Sequence, residues 1–372
     1  MTTPQQEGPF AYDNWMAQVA GAHSQATYEY PLFTDAHIIG EITSGYGPYE
    51  FLNTVPMTMA PVLAPAIVLR VEYYVEHEFD ASRMQETNVQ RYHGGLLNDE
   101  VAALISLCLG IRLQSGGYTR RFFQGSDPRG HPAAHEVTRD PVLPLPMGRS
   151  VILPRLLGDH SLEKVAPLKD LLLLSPASAN ALVRAARQYQ DAVWIAEAEP
   201  ELAWLMLVSA IEVAAGHWRS AKETPVERLT TSRPELERLL RTVGGEELVE
   251  QVAEQIADYM GATKKFIDFV LEFLPDPPPD RPPLGFQHSW DREAIKETLK
   301  IIYHWRSRAL HGGTPFPMPM CEPPFPFQGG LAEKPVGLAT QALGGIWMAK
   351  DAPMLLHTFE YIVRNALLRW LS

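Results

Sequence analysis

The chain has 372 residues, of which 46% are hydrophobic and 20% are charged, and its formal net charge is −12. This length and composition are typical of a globular protein with room for two domains. The acidic balance argues against a protein that coats nucleic acid through a broad basic face, but it leaves room for a local basic cleft.

Cysteine usage and terminal patterning narrow the class of protein further. Cys108 and Cys321 lie far apart and form no CxxC pair, so we expect neither a disulfide framework nor a zinc ribbon. The N-terminal residues lack the basic-then-apolar pattern of a secretion signal, and no apolar run approaches the roughly 20 residues that span a bilayer. We therefore expect a cytoplasmic protein with no membrane partner. The absence of GxSxG, HExxH and phosphate-loop motifs argues against a serine hydrolase, a zincin and a nucleotide-driven motor.

Residues 1–165 alternate short apolar runs with turn residues, which predicts a mixed α/β or β-rich N-terminal domain. Ala66–Glu76 is dense in β-branched and aromatic residues and predicts a strand. His37–Ile42 and Val137–Leu145 are weaker strand candidates. Asn98–Arg112 predicts a helix, with Asn98 as its N-cap.

One pair of histidines in this region has the spacing of a metal site. His131 and His135 are four residues apart, but Pro132 disfavours the helix on which that spacing would bring the two side chains together. We therefore expect no metal site there, and the rest of the sequence points to no cofactor.

From Leu171 the apolar pattern becomes helical, so the fold class we predict is α+β, with a helical bundle over residues 171–372. The predicted helices are Ser178–Ala198, Glu201–Ala215, Pro234–Arg241, Glu246–Leu274, Asp291–Leu310 and Pro353–Leu371. Glu201–Ala215 is apolar almost all round, so it should lie in the middle of the bundle. Glu212 is its exception: the carboxylate either pairs with an arginine or the motif described next, or it lies on a solvated side of the helix.

The most informative segment is Ile301–Gly313, IIYHWRSRALHGG, an apolar helix that ends at a pair of glycines. Arg306 lies five residues before His311, which falls in the last turn, where the carbonyl end of the helix favours a cation. A forked guanidinium beside a titratable imidazole suits a phosphate, which the arginine grips while the histidine transfers a proton. The alternative is that both side chains only cap carbonyls and face water.

Tyr303, Arg306-Ser307 and His311-Gly312, on a late helix of a helical region, resemble the HEPN family, whose signature is an arginine and a histidine separated by four to six residues. The resemblance covers about Leu171–Ser372. It implies a homodimeric bundle that cleaves RNA without a metal, by attack of the ribose 2′-OH on the adjacent phosphate. The products would carry 2′,3′-cyclic phosphate and 5′-OH ends. DNA, which has no 2′-OH, would be inert.

The same resemblance assigns roles to individual residues. Arg306 and His311 would be catalytic, Ser307 would hold the phosphate or orient His311, and Glu212 would be an orienting residue. Substrate would be bound by side chains around the motif, namely Tyr303, His304 and Arg308. On a straight helix Arg306 and His311 lie about 140° apart, at ~100° per residue. They converge on one phosphate only if the helix ends near His311 or a second subunit contributes.

Residues 312–350 depart from the HEPN pattern, because they form a long insertion rich in Pro, Phe and Met. Loops of this length are usually functional or disordered, and the aromatic residues argue against disorder. We expect a packed lid or a dimer-contact arm next to the motif, or a simple patch over an exposed face of the bundle.

HEPN proteins frequently act in defence against phage or as toxins, so the resemblance implies a role in defence or growth control. The N-terminal domain would then sense a protein or phage-derived trigger or recognise the target. Two alternatives stay open. One is a HEPN dimer that binds RNA or a nucleotide without cleaving it, as a sensor or scaffold. The other is a regulatory protein whose N-terminal domain binds a partner protein while the bundle dimerises.

Overall fold

The computed structural model describes residues 7–55, 62–75, 87–123, 127–134, 140–144, 151–220, 224–256 and 261–372. A β-rich N-terminal region is followed by a helical C-terminal region, which confirms the mixed α/β class at this level. Among these residues, no helix combines the length and the apolar character that crossing a bilayer requires.

The N-terminal region is built around an antiparallel sheet. Its strands and the short pair beside it are β1 (Ala26–Thr34), β2 (His37–Ile39), β3 (Tyr49–Asn53), β4 (Ala64–Tyr73), β5 (Gln114–Ser115), β6 (Arg120–Phe122), β7 (His131–Pro132) and β8 (Asp159–Ser161). The order across the sheet is β3-β4-β1-β6-β7, β5 also pairs with β1, and β2 and β8 form a separate parallel pair. The central strand is therefore β1.

The strand predictions hold in part. The strand predicted over Ala66–Glu76 is β4, which ends at Tyr73, and Glu76 lies outside the described residues. His37–Ile42 contains β2, followed by a single bridge from Ile42 to Phe51. Val137–Leu145 lies partly outside the described residues, and its described part, 140–144, forms no strand.

Among the described residues of this region, the α-helices are α1 (Phe10–Val19) and α2 (Leu97–Leu109), and Leu162–Leu173 forms a 3-10 helix. The prediction that Asn98 caps α2 is wrong. Leu96 is the N-cap residue, its amide donates to the Asp99 carboxylate at 2.8 Å, and the buried Asn98 donates to the Ser115 hydroxyl at 3.0 Å. The helix ends at Leu109, three residues before the predicted Arg112, because Gly110 adopts the left-handed conformation (φ 65°).

The helical region contains α3 (Pro176–Ile195), α4 (Pro200–Ser220), α5 (Pro225–Ser232), α6 (Pro234–Ile256), α7 (Ala262–Glu272), α8 (Arg292–Gly312) and α9 (Leu356–Leu371). Helix α4 contacts α3, α7, α8 and α9, which confirms its predicted central place. The prediction of one helix over Glu246–Leu274 is wrong, because Gly261, with φ 71°, starts a new helix there. Helices α5 and α6 pack around a small cluster of their own.

The two regions share one core. Buried apolar residues from Ala11 to Leu371 form a contiguous cluster, and α2 packs against α3. A buried arginine joins the regions: Arg112 binds Asp35 at 2.9 Å and Glu197 at 3.2 Å. Glu197 in turn accepts the amides of Ile152 and Leu153.

The insertion 312–350 packs into the molecule and has secondary structure of its own. It contains β9 (Pro326–Phe327), β10 (Gly330–Leu331), β11 (Ala339–Ala342) and β12 (Gly345–Met348), which pair as two hairpins. Phe316 stacks on Trp204 of α4 with ring centroids 5.2 Å apart. The buried Glu333 carboxylate binds Arg281 at 2.6 Å. The insertion therefore contributes to the core.

Candidate functional site

The motif helix α8 starts and ends with recognisable caps. The Asp291 carboxylate accepts the amides of Glu293 and Ala294 at 3.1 and 3.2 Å. At the other end Gly313, with φ 61°, donates its amide to the Arg308 carbonyl. Because the helix runs on through His311 to Gly312, Arg306 and His311 keep the separation of about 140° expected from the helical repeat.

Arg306 is held by a carboxylate from α4. Its Nη2 binds Glu212 Oε2 at 2.6 Å, and the Tyr303 hydroxyl donates to the other oxygen, Oε1, at 2.8 Å. The Arg306 and Glu212 side chains are 20% and 21% exposed. Of the two alternatives for Glu212, pairing or a solvated position, the structure shows the first: the carboxylate pairs with Arg306 and holds the guanidinium from one side.

Tyr303 contacts both members of the Arg306–Glu212 pair. Burial, and then the hydrogen bond to Glu212, raise the pKa of Tyr303 to about 12, so its hydroxyl stays protonated and donates at neutral pH. Its ring lies 5.4 Å from the Arg306 guanidinium carbon and 5.3 Å from the ring of Phe266. Arg306 Nε is buried and has no hydrogen-bond partner. The orientation of the guanidinium is thus fixed, while Nη2 binds Glu212 and Nε remains without a hydrogen-bond partner.

His311 and Ser307 differ from Arg306 in their surroundings. His311 is exposed at the C-terminal end of α8, and Ser307 is half-buried. Neither side chain has a hydrogen-bond partner within the part of the chain that the structure describes. The imidazole is therefore accessible to a ligand, and it does not share a contact with Arg306.

The other predicted binding residues lie in a separate groove. His304 and Arg308 line a groove of about 800 Å³ between α8 and the hairpin β11–β12 of the insertion. Arg306, Tyr303 and His311 are not among its lining residues. The predicted site thus divides into an Arg306 cluster (Arg306, Glu212 and Tyr303) on one side of α8 and a groove on another.

Several residues of the groove were not predicted from the sequence. Trp305 donates its indole N–H to the Asp351 carbonyl at 2.8 Å and lies 5.1 Å below the Arg308 guanidinium carbon. Lys300 binds Glu297 at 2.6 Å, and Trp347 reaches the groove from β12. Lys300 and Trp305 share the apolar helix with the motif, whereas the fold of the insertion that brings Trp347 there leaves no signal in the sequence.

The remaining candidate residues that the structure describes form no further centre. Within the described ranges, no group of three or more His, Cys, Asp or Glu side chains could hold a metal ion. His131 lies on β7 near Asp127, at 3.7 Å, and His135 lies outside the described residues. Cys108 and Cys321 are free, buried thiols.

No protein-family model, no curated protein and no solved structure matches this chain. The geometry of α8 therefore carries the functional argument.

Proposed function

We propose that the protein is a metal-independent endoribonuclease of HEPN type whose catalytic residues are Arg306 and His311. The observation that carries the proposal is the pairing, on one helix end, of a guanidinium fixed by Glu212 and Tyr303 with a free, exposed imidazole one turn later. A fixed cation and a mobile proton carrier are what phosphodiester transesterification requires.

The chemistry follows from these two groups. His311 takes the proton from the ribose 2′-OH as that oxygen attacks the adjacent phosphorus, and the proton passes to the 5′ oxygen as the bond between phosphorus and the 5′ oxygen breaks. Arg306 stabilises the negative charge that develops on the phosphorane oxygens. The products are a 2′,3′-cyclic phosphate and a 5′-OH, and no water or metal ion enters this step. Ser307, on the same helix, would hold a phosphate oxygen or orient His311.

A second copy of the chain is part of the proposal. Arg306 and His311 point about 140° apart on α8, so they do not converge on one phosphate within one subunit. A twofold axis beside the helix end would bring Arg306 of one copy towards His311 of the other. We propose a homodimer with two such composite sites in one cleft.

Mixing two inactive variants tests the composite site. Arg306→Ala and His311→Ala carry different tags, are co-expressed, and the mixed dimer is purified through both tags. If each site takes Arg306 from one subunit and His311 from the other, the mixed dimer keeps one intact site and recovers about half of the wild-type cleavage rate. A mixed dimer as inactive as both parents would contradict the composite site.

Glu212 belongs to this proposal as a positioning residue. Glu212→Gln keeps an acceptor for Tyr303 but removes the charge that holds Arg306, so cleavage should slow with little change in KM. Glu254→Gln, an exposed carboxylate on α6, serves as the control and should cleave at the wild-type rate. Equal rates for both variants would mean that Glu212 does not position Arg306.

A second candidate function is a HEPN dimer that binds RNA or a nucleotide without cleaving it. It is favoured by one observation, the separation of His304 and Arg308, in the groove, from Arg306 and His311. In this case the protein would act as a sensor or scaffold. In either case we propose a cytoplasmic role in phage defence or growth control, with residues 1–165 receiving the trigger.

A further inference from the structure

The groove between α8 and the hairpin β11–β12 has the size and walls of a small-molecule site. Its volume of about 800 Å³ lies within the range of ligand pockets, roughly 300–1,000 Å³. One wall is α8, which supplies His304, Trp305 and Arg308, and the facing wall is the hairpin, which supplies Ile346 and Trp347. Aromatic and cationic side chains therefore face the same space.

Two indole rings line the groove, the buried Trp305 and the half-buried Trp347. Trp305 is fixed by its hydrogen bond to the Asp351 carbonyl at 2.8 Å. Trp347 is half-buried and lies over the backbone of Gly345, where a Cβ would overlap its ring. The absence of a side chain at Gly345 leaves room for the Trp347 ring, which lines the groove. A half-buried aromatic ring such as Trp347 is a platform on which a planar heterocycle stacks.

The cations of the groove have unused capacity. Arg308 is exposed and has no carboxylate partner among the described residues, and its guanidinium lies over Trp305. Lys300 uses one contact, to Glu297, and has further donors. His304 is exposed beside the edge of Trp305. These groups match an anion such as a phosphate, to which a guanidinium binds in bidentate fashion.

Carboxylates in the lining restrict what accompanies the anion. Glu201 and Glu297 line the groove together with Arg308 and Lys300. A ligand with negative charge alone would meet these acceptors unfavourably, whereas one that also carries N–H donors would satisfy them. The groove thus calls for a molecule with a phosphate, a planar ring and hydrogen-bond donors.

The turn at the tip of the hairpin contains a residue that such turns disfavour. Leu343 and Gly344 form a two-residue turn between paired Ala342 and Gly345, with φ of 46° and 83°. Such turns favour Asn, Asp or Gly at the first position, and a leucine there is strained. Leu343 is also 93% exposed at the edge of the groove. An exposed apolar group held in a strained turn is explained if a ligand covers it.

We propose that this groove binds a nucleotide unit. The phosphate lies on Arg308 and Lys300, the base stacks against Trp347, and Leu343 closes over the ring. The inference deepens the proposed function and rests on it where the nucleotide belongs to the RNA substrate. A free nucleotide has the same chemistry, and the test separates the two sources.

Calorimetric titration of the full chain tests the proposal with defined probes. The probes are adenosine 5′-monophosphate, adenosine, ribose 5-phosphate and a 2′-O-methylated tetra-adenylate that cannot be cleaved. The monophosphate should bind saturably, and the two fragments should bind at least about tenfold more weakly, since each lacks the ring or the phosphate. Tighter binding of the tetranucleotide than of the monophosphate assigns the groove to RNA, and equal binding assigns it to a free nucleotide.

Matched variants locate the binding. Trp347→Ala should weaken it roughly 10- to 100-fold, and Arg308→Gln about tenfold, whereas Trp347→Phe keeps a ring and most of the affinity. Leu338→Ala, directly before the hairpin, and Lys296→Gln on α8 lie outside the groove and should bind as wild type. Thermal melts verify that each variant folds. If Trp347→Ala does not fold, Arg308→Gln and Trp347→Phe still test the proposal.

Two results would overturn the inference. One is no saturable binding of either the monophosphate or the tetranucleotide at millimolar concentration. The other is binding that Arg308→Gln and both Trp347 variants leave unchanged. Arg306→Ala should still bind the monophosphate, because Arg306 lies outside the groove. Nucleotide binding without cleavage would therefore refute the nuclease and leave the groove proposal standing.

Discussion

His357 on α9 should make folding stability depend on pH. Its side chain is buried, Nε2 donates to the Ala332 carbonyl of the insertion at 2.7 Å, and Nδ1 is buried without a hydrogen-bond partner. Protonation of Nδ1 would leave an unpaired charge in the core, which costs free energy. Burial accordingly lowers the pKa of His357 to about 4 from 6.5.

The size of the effect follows from this shift. A lowering from 6.5 to about 4, at 1.36 kcal/mol per pKa unit, corresponds to about 3 kcal/mol. Between these two values the unfolded chain binds the proton and the folded protein does not. The contribution to the free energy of unfolding is therefore fully present above about pH 6.5 and is lost progressively as the pH falls to about 4.

Urea denaturation at a series of pH values from about 4 to 7.5 measures this dependence. His357→Gln keeps a side-chain N–H that can reach the Ala332 carbonyl and removes the titrating group. Burial also lowers the pKa of His160 and His288, but both remain in the variant, so the difference between the two proteins isolates His357. Wild type should lose about 3 kcal/mol more than the variant over this range. Parallel pH profiles would refute the reasoning.

Three further predictions concern stability and follow from single contacts. Arg112→Ala leaves Asp35 and Glu197 buried without their cation and should lower the free energy of unfolding by about 3–5 kcal/mol in urea denaturation. Glu212→Gln breaks the ion pair to Arg306 and should cost about 1–3 kcal/mol in the same assay. Leu343→Asn relieves the strained turn and should raise stability by about 1 kcal/mol while weakening nucleotide binding.

Each of these three has an outcome that would contradict it. A loss below about 1 kcal/mol for Arg112→Ala would mean that water or relaxation compensates the two carboxylates. No change for Glu212→Gln would mean that its pair with Arg306 is as weak as an ordinary surface pair. A drop in stability for Leu343→Asn would show that Leu343 packs within the free protein.

The sequence predicts the elements whose pattern is local. Apolar periodicity and glycine stops locate α4, α8 and α9 to within a few residues, because the period and the caps are properties of the segment itself. The central strand β1 is not predicted from the sequence, because Pro31 interrupts the run and its strand character depends on pairing with β4 and β6. The cap of α2 is misassigned for a similar reason: Asn98 resembles a cap locally, but its amide is satisfied by Ser115.

The candidate site divides in the same way. That Glu212 needed a partner follows from a carboxylate inside an apolar helix, and the partner is found on α8. The separation of His304 and Arg308 from Arg306 follows from the helical angle alone. The groove opposite them does not, because the hairpin that carries Trp347 is positioned by contacts of the insertion with α4 and α9, such as Phe316 on Trp204.

The measurement that tests the central claim most directly is incubation of the purified protein with mixed cellular RNA in EDTA. Arg306→Ala and His311→Ala variants are assayed beside it, with DNA of the same length as a control. We expect wild type to cleave the RNA to 2′,3′-cyclic phosphate and 5′-OH ends, both variants to be inactive, and the DNA to stay intact. Folded, dimeric wild type that leaves the RNA intact, or variants that cleave as fast as wild type, would contradict the nuclease assignment.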